Sequence, residues 1–231
     1  MNRSSNFYQI EGEQYDRVTR ITGCIPKQDI LINWAVKLTA EASADIDQGE
    51  YQTKAIFVDA VKALSKEKRI HNRDRGTEIH GAIEAHMTGQ PIVEKFRPWV
   101  DQAEDVMNDY HLTDAARVEV VLVNTDMRYA GTCDLWEGDI ILDWKTGARL
   151  YPDYLIQMWA YMNATHWVNP VTDKLTPIEI QPSLGILARL EEDDYETKTL
   201  ESGTQMFNLC GDTFAHLQGV KSWLATEKEI W

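Results

Sequence analysis

Residues 128–146 read RYAGTCDLWEGDIILDWKT. β-Branched, aromatic and aliphatic residues fill the stretch on both sides of Glu137-Gly138, and a short glycine-containing step between two such runs marks a β-hairpin. The pattern predicts strands over 128–136 and 139–146. With Glu137 and Gly138 as the loop, Trp136 faces Asp139 and Thr132 faces Asp143. Side chains alternate between the two faces of a strand. Asp134, Asp143 and Lys145 therefore share one face with Ile141, with Asp134 diagonal to Asp143, while Cys133, Leu135, Ile140, Leu142 and Trp144 take the other.

Outward from the hairpin, a run of period two (Val118, Val120 and Leu122 against Glu119, Val121 and Val123) predicts a strand over 117–123, and LGILARL at 184–190 predicts another within 183–190. Steps of three and four predict helices elsewhere. They recur in Leu31, Ala35, Leu38 and Ala42, in Ala55, Val58, Val61 and Leu64, and from Arg73 through Ile79, His80, Ile83 and Met87 to the stop at Gly89-Gln90-Pro91. Further helices are expected at about 96–110, over 153–167 and over 203–226, the last carrying Phe207, Phe214, Leu217 and Leu224. Helices, three strands, helix, strand, helix is the order of an α/β or α+β domain with a helical N-terminal elaboration.

The chain has 231 residues, of which 43% are hydrophobic, enough for a sizeable core. Its 23 basic against 37 acidic residues give a formal charge of −14, which disfavours broad coating of nucleic acid. The charge is uneven. Lys62, Lys66, Lys68, Arg69, Arg73 and Arg75 stand close together, so a local basic approach for DNA at Arg69, Arg73 and Arg75 can coexist with an acidic remainder that includes Glu191, Glu192, Asp193 and Asp194. A solvated helix face is the competing reading. Cys24, Cys133 and Cys210 are far apart and form no CxxC pair, which argues against a zinc ribbon, an iron–sulfur cage or a disulfide scaffold. Residues 1–16 are too polar for a signal peptide, and an intracellular protein is expected.

The hairpin carries chemistry. Diagonal Cβ atoms lie ~7 Å apart, a gap that two carboxylates close by sharing one cation at the ~2.1 Å oxygen distance of magnesium. Lys145, two residues on, is placed to hold a water or a phosphate oxygen beside that cation. A solvent-facing hairpin with ordinary charges is the alternative, since D-x-K is a common tripeptide.

GTCDLW at 131–136, ILDWKTG at 141–147, LIQMWAY at 155–161 and RGTEIHGAIEAH at 75–86 together resemble the RecB-like nucleases of the PD-(D/E)XK superfamily, a group with stand-alone phage exonucleases and CRISPR-adaptation nucleases. RVTRITGCIPKQDILINWAVKLTAE at 17–41 is similar to the N-terminus of a phage-type branch. The resemblance implies an α/β, restriction-endonuclease-like domain: a central mixed β-sheet flanked by helices, with a helical elaboration at 1–70, a catalytic core at 71–190 and a helical closure at 191–231. It implies His80, Asp134, Asp143 and the main-chain carbonyl of Trp144 as ligands of Mg2+ or Mn2+, Lys145 as the catalytic lysine, and Gln157 and Tyr161 as a pair that touches DNA or braces that lysine. Glu119 corresponds to an upstream acid that supports these groups or binds a second metal. The cysteines that cage an iron–sulfur cluster in some relatives are missing, and no GxxxxGK[ST] stretch supplies a motor. The resemblance thus implies a metal-dependent DNA nuclease, an exonuclease of recombination, repair or phage replication in the cytoplasm of a bacterial or phage-infected cell. Its expected partners are DNA and a recombinase, helicase or single-strand-binding protein; no membrane is involved, and an oligomer is left open. A catalytically silent DNA-end or partner-binding module on the same fold is the alternative.

Overall fold

The computed structural model describes residues 1–4, 6–25, 28–113 and 115–227. Two compact units emerge: Met1–Ile25 with His80–Trp231, and Pro26–Ile79. The first strands are β1 (Asn2–Arg3), β2 (Phe7–Ile10) and β3 (Glu13–Arg17). Helices α1 (Val18–Thr22), α2 (Gln28–Ala44), α3 (Lys54–Met87) and α4 (Arg97–Asp109) follow. Strands β4 (Arg117–Asn124), β5 (Tyr129–Glu137) and β6 (Ile140–Lys145) lead to α5 (Pro152–Met162). The chain then forms β7 (His166–Asn169), β8 (Lys174–Pro177), β9 (Leu184–Leu190), β10 (Tyr195–Glu201) and α6 (Gln205–Glu227).

In the larger unit one mixed sheet runs in the order β1-β2-β3-β5-β4-β7-β8, with β6 joining β5 to β9 and β10 beyond β9. Most pairs are antiparallel, while β3 with β5 and β6 with β9 are parallel. Helices α5 and α6 pack together, α5 lying on β9 and β6. Gly185 of β9 makes this close: a Cβ there would stand 2.4 Å from Met158 Cγ. Gly185 pairs with Ile141, so the odd-numbered residues of β6 and β9 face α5. The even-numbered Leu142, Trp144, Ile186 and Ala188 are buried on the far side, and α4 contacts β9. Here the sheet is covered twice, which is why β6 and β9 read as nearly continuous apolar runs.

The fold class expected from the sequence is the one observed, an α/β domain with a mixed sheet flanked by helices. Several boundaries differ. Asn2–Arg3, Phe7–Ile10 and Glu13–Arg17 are strands, so the N-terminal 1–70 is not wholly helical; Glu11 and Gly12, with φ of 50° and 84°, form a tight primed turn between strands too short and polar to display a period. The helices expected at 55–64 and from 73 are one, because no breaker interrupts 65–72. The helix expected over 153–167 ends at Met162, and the Thr165 N–H donates to Val123 O at 2.9 Å, drawing the chain into β7. The C-terminal closure includes β10 as well as α6, and residues 228–231 and the side chains of Leu31 and Leu224 lie outside the described residues. All three cysteines are free.

In the smaller unit, Thr39 Oγ1 and Ser65 Oγ lie 3.3 Å apart, and Lys68 pairs with Asp45 at 2.8 Å, linking α2 to α3. Leu38, Ala42 and Val61 are buried. No described helix is long and apolar enough to cross a membrane.

Candidate active site

The β5–β6 ladder pairs Glu137 with Ile140, Trp136 with Ile141 and Leu135 with Leu142. The loop is thus Gly138-Asp139, one residue later than expected, with Gly138 at φ 58° in the first loop position, where a type II′ turn calls for glycine. The shift moves every pair by an even step. Face assignments within β6 survive, but Asp143 comes level with Asp134 instead of Thr132.

β5 has a further feature that alternation alone does not show. One edge is filled by β4. The other edge pairs with β3 at Tyr129 and Ala130 and with β6 from Leu135 onward, so among the described residues no strand pairs with 131–134 on that edge. The sheet forks there. On the β4 side the register is continuous except for the missing rung between Glu119 and Asp134, and Glu119 has φ 52°. Cys133 and Trp136, three residues apart, belong to the same core cluster. Alternation slips by one residue at Asp134, and Cys133 lies on the same side as Ile141 rather than opposite it. A non-glycine residue in the left-handed region within a strand costs of order 1–3 kcal/mol and concentrates at functional sites.

Asp134 stands at this fork. Its Oδ2 accepts the Trp144 N–H at 2.6 Å, replacing the next rung of the β5–β6 ladder, and its Oδ1 lies 3.2 Å from His80 Nδ1. His80 comes from the last turns of α3, where Ile79 and Ile83 are buried. Burial pulls the imidazole pKa down, but the hydrogen bond to Asp134 and the charges of Asp134 and Asp143 outweigh it, leaving the pKa above the ordinary histidine value.

Asp143 is buried, and its Oδ2 makes an ion pair with Lys145 Nζ without accepting a directed hydrogen bond. Desolvation pushes its pKa up to about 6; Lys145 opposes that push and Asp134 adds to it. For Lys145 burial lowers the pKa, and Asp143 and Asp134 more than restore it, so the ammonium stays charged. Lys145 Nζ also lies 3.5 Å from Gln157 Oε1, and Gln157 Nε2 donates to the Tyr161 hydroxyl at 2.5 Å. Burial holds the Tyr161 phenol well above its usual pKa. The ring lies against Gly131, where a Cβ would be 2.5 Å from Tyr161 Cε1. The G of GTCDLW is thus the space the tyrosine occupies.

His80, Asp134, Asp143, Lys145, Gln157 and Tyr161 are brought together, joined by these contacts. Glu119 is at the missing rung beside Asp134. Among the described residues, no group of three His, Cys, Asp or Glu side chains is arranged as a ready-made metal cage. Arg69, Arg73 and Arg75 belong to the smaller unit and are exposed. Lys62, Lys66, Arg69 and Arg73, at steps of four, three and four, share one stripe of α3, whereas Arg75, two residues past Arg73, turns to another side. One residue outside the expected set also touches the site, the Tyr154 ring under Lys145 Nζ at 4.7 Å, and Tyr151 packs edge-on against Tyr154 behind it. Their only signal in the sequence is two tyrosines a turn apart in YPDYLIQ.

No family model matches the chain, and no curated protein sequence matches it significantly. Among solved structures it is similar to an alkaline exonuclease of Laribacter hongkongensis, at 12% identity over 93% of both chains with a TM-score of 0.40. The complex of that enzyme with dAMP gives 12% identity over the same shares and a TM-score of 0.42. Likenesses this loose carry no weight for the chemistry, which rests on the site itself.

Proposed function

We propose that this protein is a divalent-metal-dependent deoxyribonuclease that works from DNA ends. The observation that carries the reading is the buried Asp143–Lys145 ion pair at a fork in the sheet, beside Asp134 and braced by Gln157 and Tyr161. Burying such charges costs several kcal/mol per ion, and hydrophobic residues of similar volume are often at least as stable in such a place. Chemistry is the reason to keep them.

The residues fit a cation of the magnesium or manganese type. Asp143 Oδ2 is a buried carboxylate oxygen whose partner is the Lys145 ammonium, and Asp134 supplies a second carboxylate beside it. The N–H and C=O of one residue in an extended strand share an edge, so the Trp144 carbonyl faces the same gap as the N–H that Asp134 accepts. A divalent cation held by Asp143, Asp134 and that carbonyl would supply Lewis acidity and a more acidic water. His80 joins only after losing the proton that its pairing with Asp134 stabilises.

Hydrolysis forms a bond from a water oxygen to phosphorus and breaks one bridging P–O bond, whose oxygen leaves with a proton. Negative charge builds on the phosphoryl oxygens. Lys145 offers a fixed ammonium to that charge, and Gln157, itself held by Tyr161, keeps the lysine from swinging away. Asp134 is preset by the Trp144 N–H, so this acid does not need to reorganise during the reaction.

The test is incubation of the purified chain with end-labelled linear DNA and closed circular DNA, with magnesium, manganese or chelator. Linear DNA is expected to be degraded from its ends with metal alone, and circles spared. Cleavage of circles would make it an endonuclease, and no cleavage of any form would leave the silent DNA-binding module.

A further inference from the structure

Beside the ion pair is a cavity that the cleavage chemistry does not use. It measures about 370 Å³ and is walled by Leu150, Tyr151, Ile156, Leu187 and Leu209, with Lys198 at its margin. Leu187 is the register partner of Asp143 on the neighbouring strand, and Ile156 precedes Gln157, so the cavity adjoins the site through its own walls. Tyr151 connects the two. Its ring packs edge-on against Tyr154 at 5.6 Å and 79°, and Tyr154 in turn lies under Lys145. Arg149 sits 4.9 Å above the Tyr151 ring. In a chain of net charge −14, Lys198 lines this aromatic and aliphatic recess, Arg149 lies over the Tyr151 ring that walls it, and Lys145 lies one tyrosine further, over Tyr154. An occupant with a flat apolar part and flanking negative charge fits both features. Pockets of this size hold small planar ligands, and bases stack on aromatic rings whatever their sequence.

We propose that this cavity is a nucleobase subsite, in which one unpaired base next to the phosphate at Asp143 stacks on Tyr151 while Arg149 and Lys198 meet the adjoining phosphates. The proposal rests on the nuclease reading and narrows its substrate to a strand with an unpaired end. A base still in its duplex partner's stack does not enter.

The test is fluorescence-anisotropy titration of single-stranded oligonucleotides with the full chain, in chelator so that nothing is cut. The strands are natural or carry an abasic nucleotide at one end or the other. Tyr151→Ala should weaken the natural strand by roughly tenfold or more, the loss expected for one base–aromatic stack, and leave the abasic strand unchanged. Tyr151→Phe should bind as wild type does. Leu209→Trp, at an exposed wall position, fills the cavity from its solvent side and should reproduce the selective loss. Equal weakening of both strands by Tyr151→Ala and Leu209→Trp, or no weakening of either, overturns the subsite. The same holds if wild type binds natural and abasic strands equally. Cleavage by wild type with manganese in a parallel reaction keeps the nuclease reading apart from this result, since that reading falls only if no DNA is cut.

Discussion

The two units treat charge in opposite ways. In the sheet unit Asp143 and Lys145 have side-chain exposures of only 5% and 15% and depend on each other, while in the helical unit Lys62 and Arg73 are 70% and 73% exposed. Exposed ion pairs such as Lys62–Asp59 are worth about 0–1 kcal/mol, so a row of them comes almost free and says little about selection. A buried pair persists only where something compensates. The contrast teaches that the same lysine and aspartate letters carry functional information in the sheet unit and much less in the helices. Lys145→Ala breaks the contrast most sharply. It should keep its fold and most of its DNA affinity while turnover falls on the order of 100-fold or more, the loss typical of a fixed group that stabilises transition-state charge. Lys145→Arg should not rescue it, because a planar guanidinium does not replace a compact ammonium. Single-turnover rates of the two variants beside wild type check this, and a rate within threefold (about 0.65 kcal/mol) for Lys145→Ala would count against the site.

Gly131→Ala tests how tightly that buried centre is built. The added methyl meets Tyr161 Cε1 at 2.5 Å and Val18 Cγ2 at 3.1 Å, and the tyrosine is walled in. The expected cost is about 1–3 kcal/mol of stability, with a fall in rate at temperatures where the variant is still folded, because displacing Tyr161 frees Gln157 and then Lys145. Thermal unfolding and turnover should drop together. Alanine at Gly138, where a Cβ would meet nothing but φ is 58°, strains the turn and should leave turnover per folded molecule unchanged.

How much of this was legible depended on whether chemistry repeats along the chain or is made by a break in it. Strands β4, β5, β6 and β9 were readable because both their faces are covered, and the acid and lysine of β6 because a period of two survives an even shift in register. The face of Cys133 was not readable. It follows from the slip in alternation at Asp134, opposite Glu119, and nothing in VEVVLVN announces a left-handed glutamate in mid-strand. The fork of β5 depends on β3, which was hidden because EQYDR shows no apolar period. His80 stood out only as part of GTEIH, and the arginine cluster looked like one patch until the helix separated Arg75 from Arg69 and Arg73.

The acid–base balance of the centre gives an effect of middle size. Asp143 has a folded pKa near 6, above the usual carboxylate value of 3.8, so the folded metal-free protein holds this proton more tightly than the unfolded chain. The contribution of this group favours folding in acid and is lost as pH rises from about 4 through 6. For His80, raised above 6.5, the stabilisation is complete below 6.5 and fades as pH climbs through its folded value. Manganese needs both groups deprotonated, so its affinity should rise severalfold from pH 5 to 7 with release of protons. Calorimetric titration in buffers of different ionisation enthalpy reads both numbers. Asp143→Asn should raise the melting temperature of the metal-free protein at pH 7 and abolish most manganese binding; equal affinity in the two proteins would remove Asp143 from the site.

The smallest effects on stability belong to the helical unit, and they sharpen the contrast from the other side. Arg69 and Arg73 share an exposed stripe with Lys62 and Lys66 on α3, with Arg73 paired to the neighbouring Asp74. Alanine at both arginines should change unfolding free energy by no more than about 0.5 kcal/mol, the usual range for surface positions. If this stripe meets DNA, the double variant should lose affinity most at low salt and lower the slope of log K against log salt by about one per phosphate contact removed. Arg75→Ala should do less, because two residues along a helix turn the side chain ~200° at 3.6 residues per turn. Binding titrations at several salt concentrations separate these outcomes. Should the double variant keep both affinity and salt slope, the stripe is only a solvated face, and the informative charge of this protein lies entirely in the buried pair of the sheet unit.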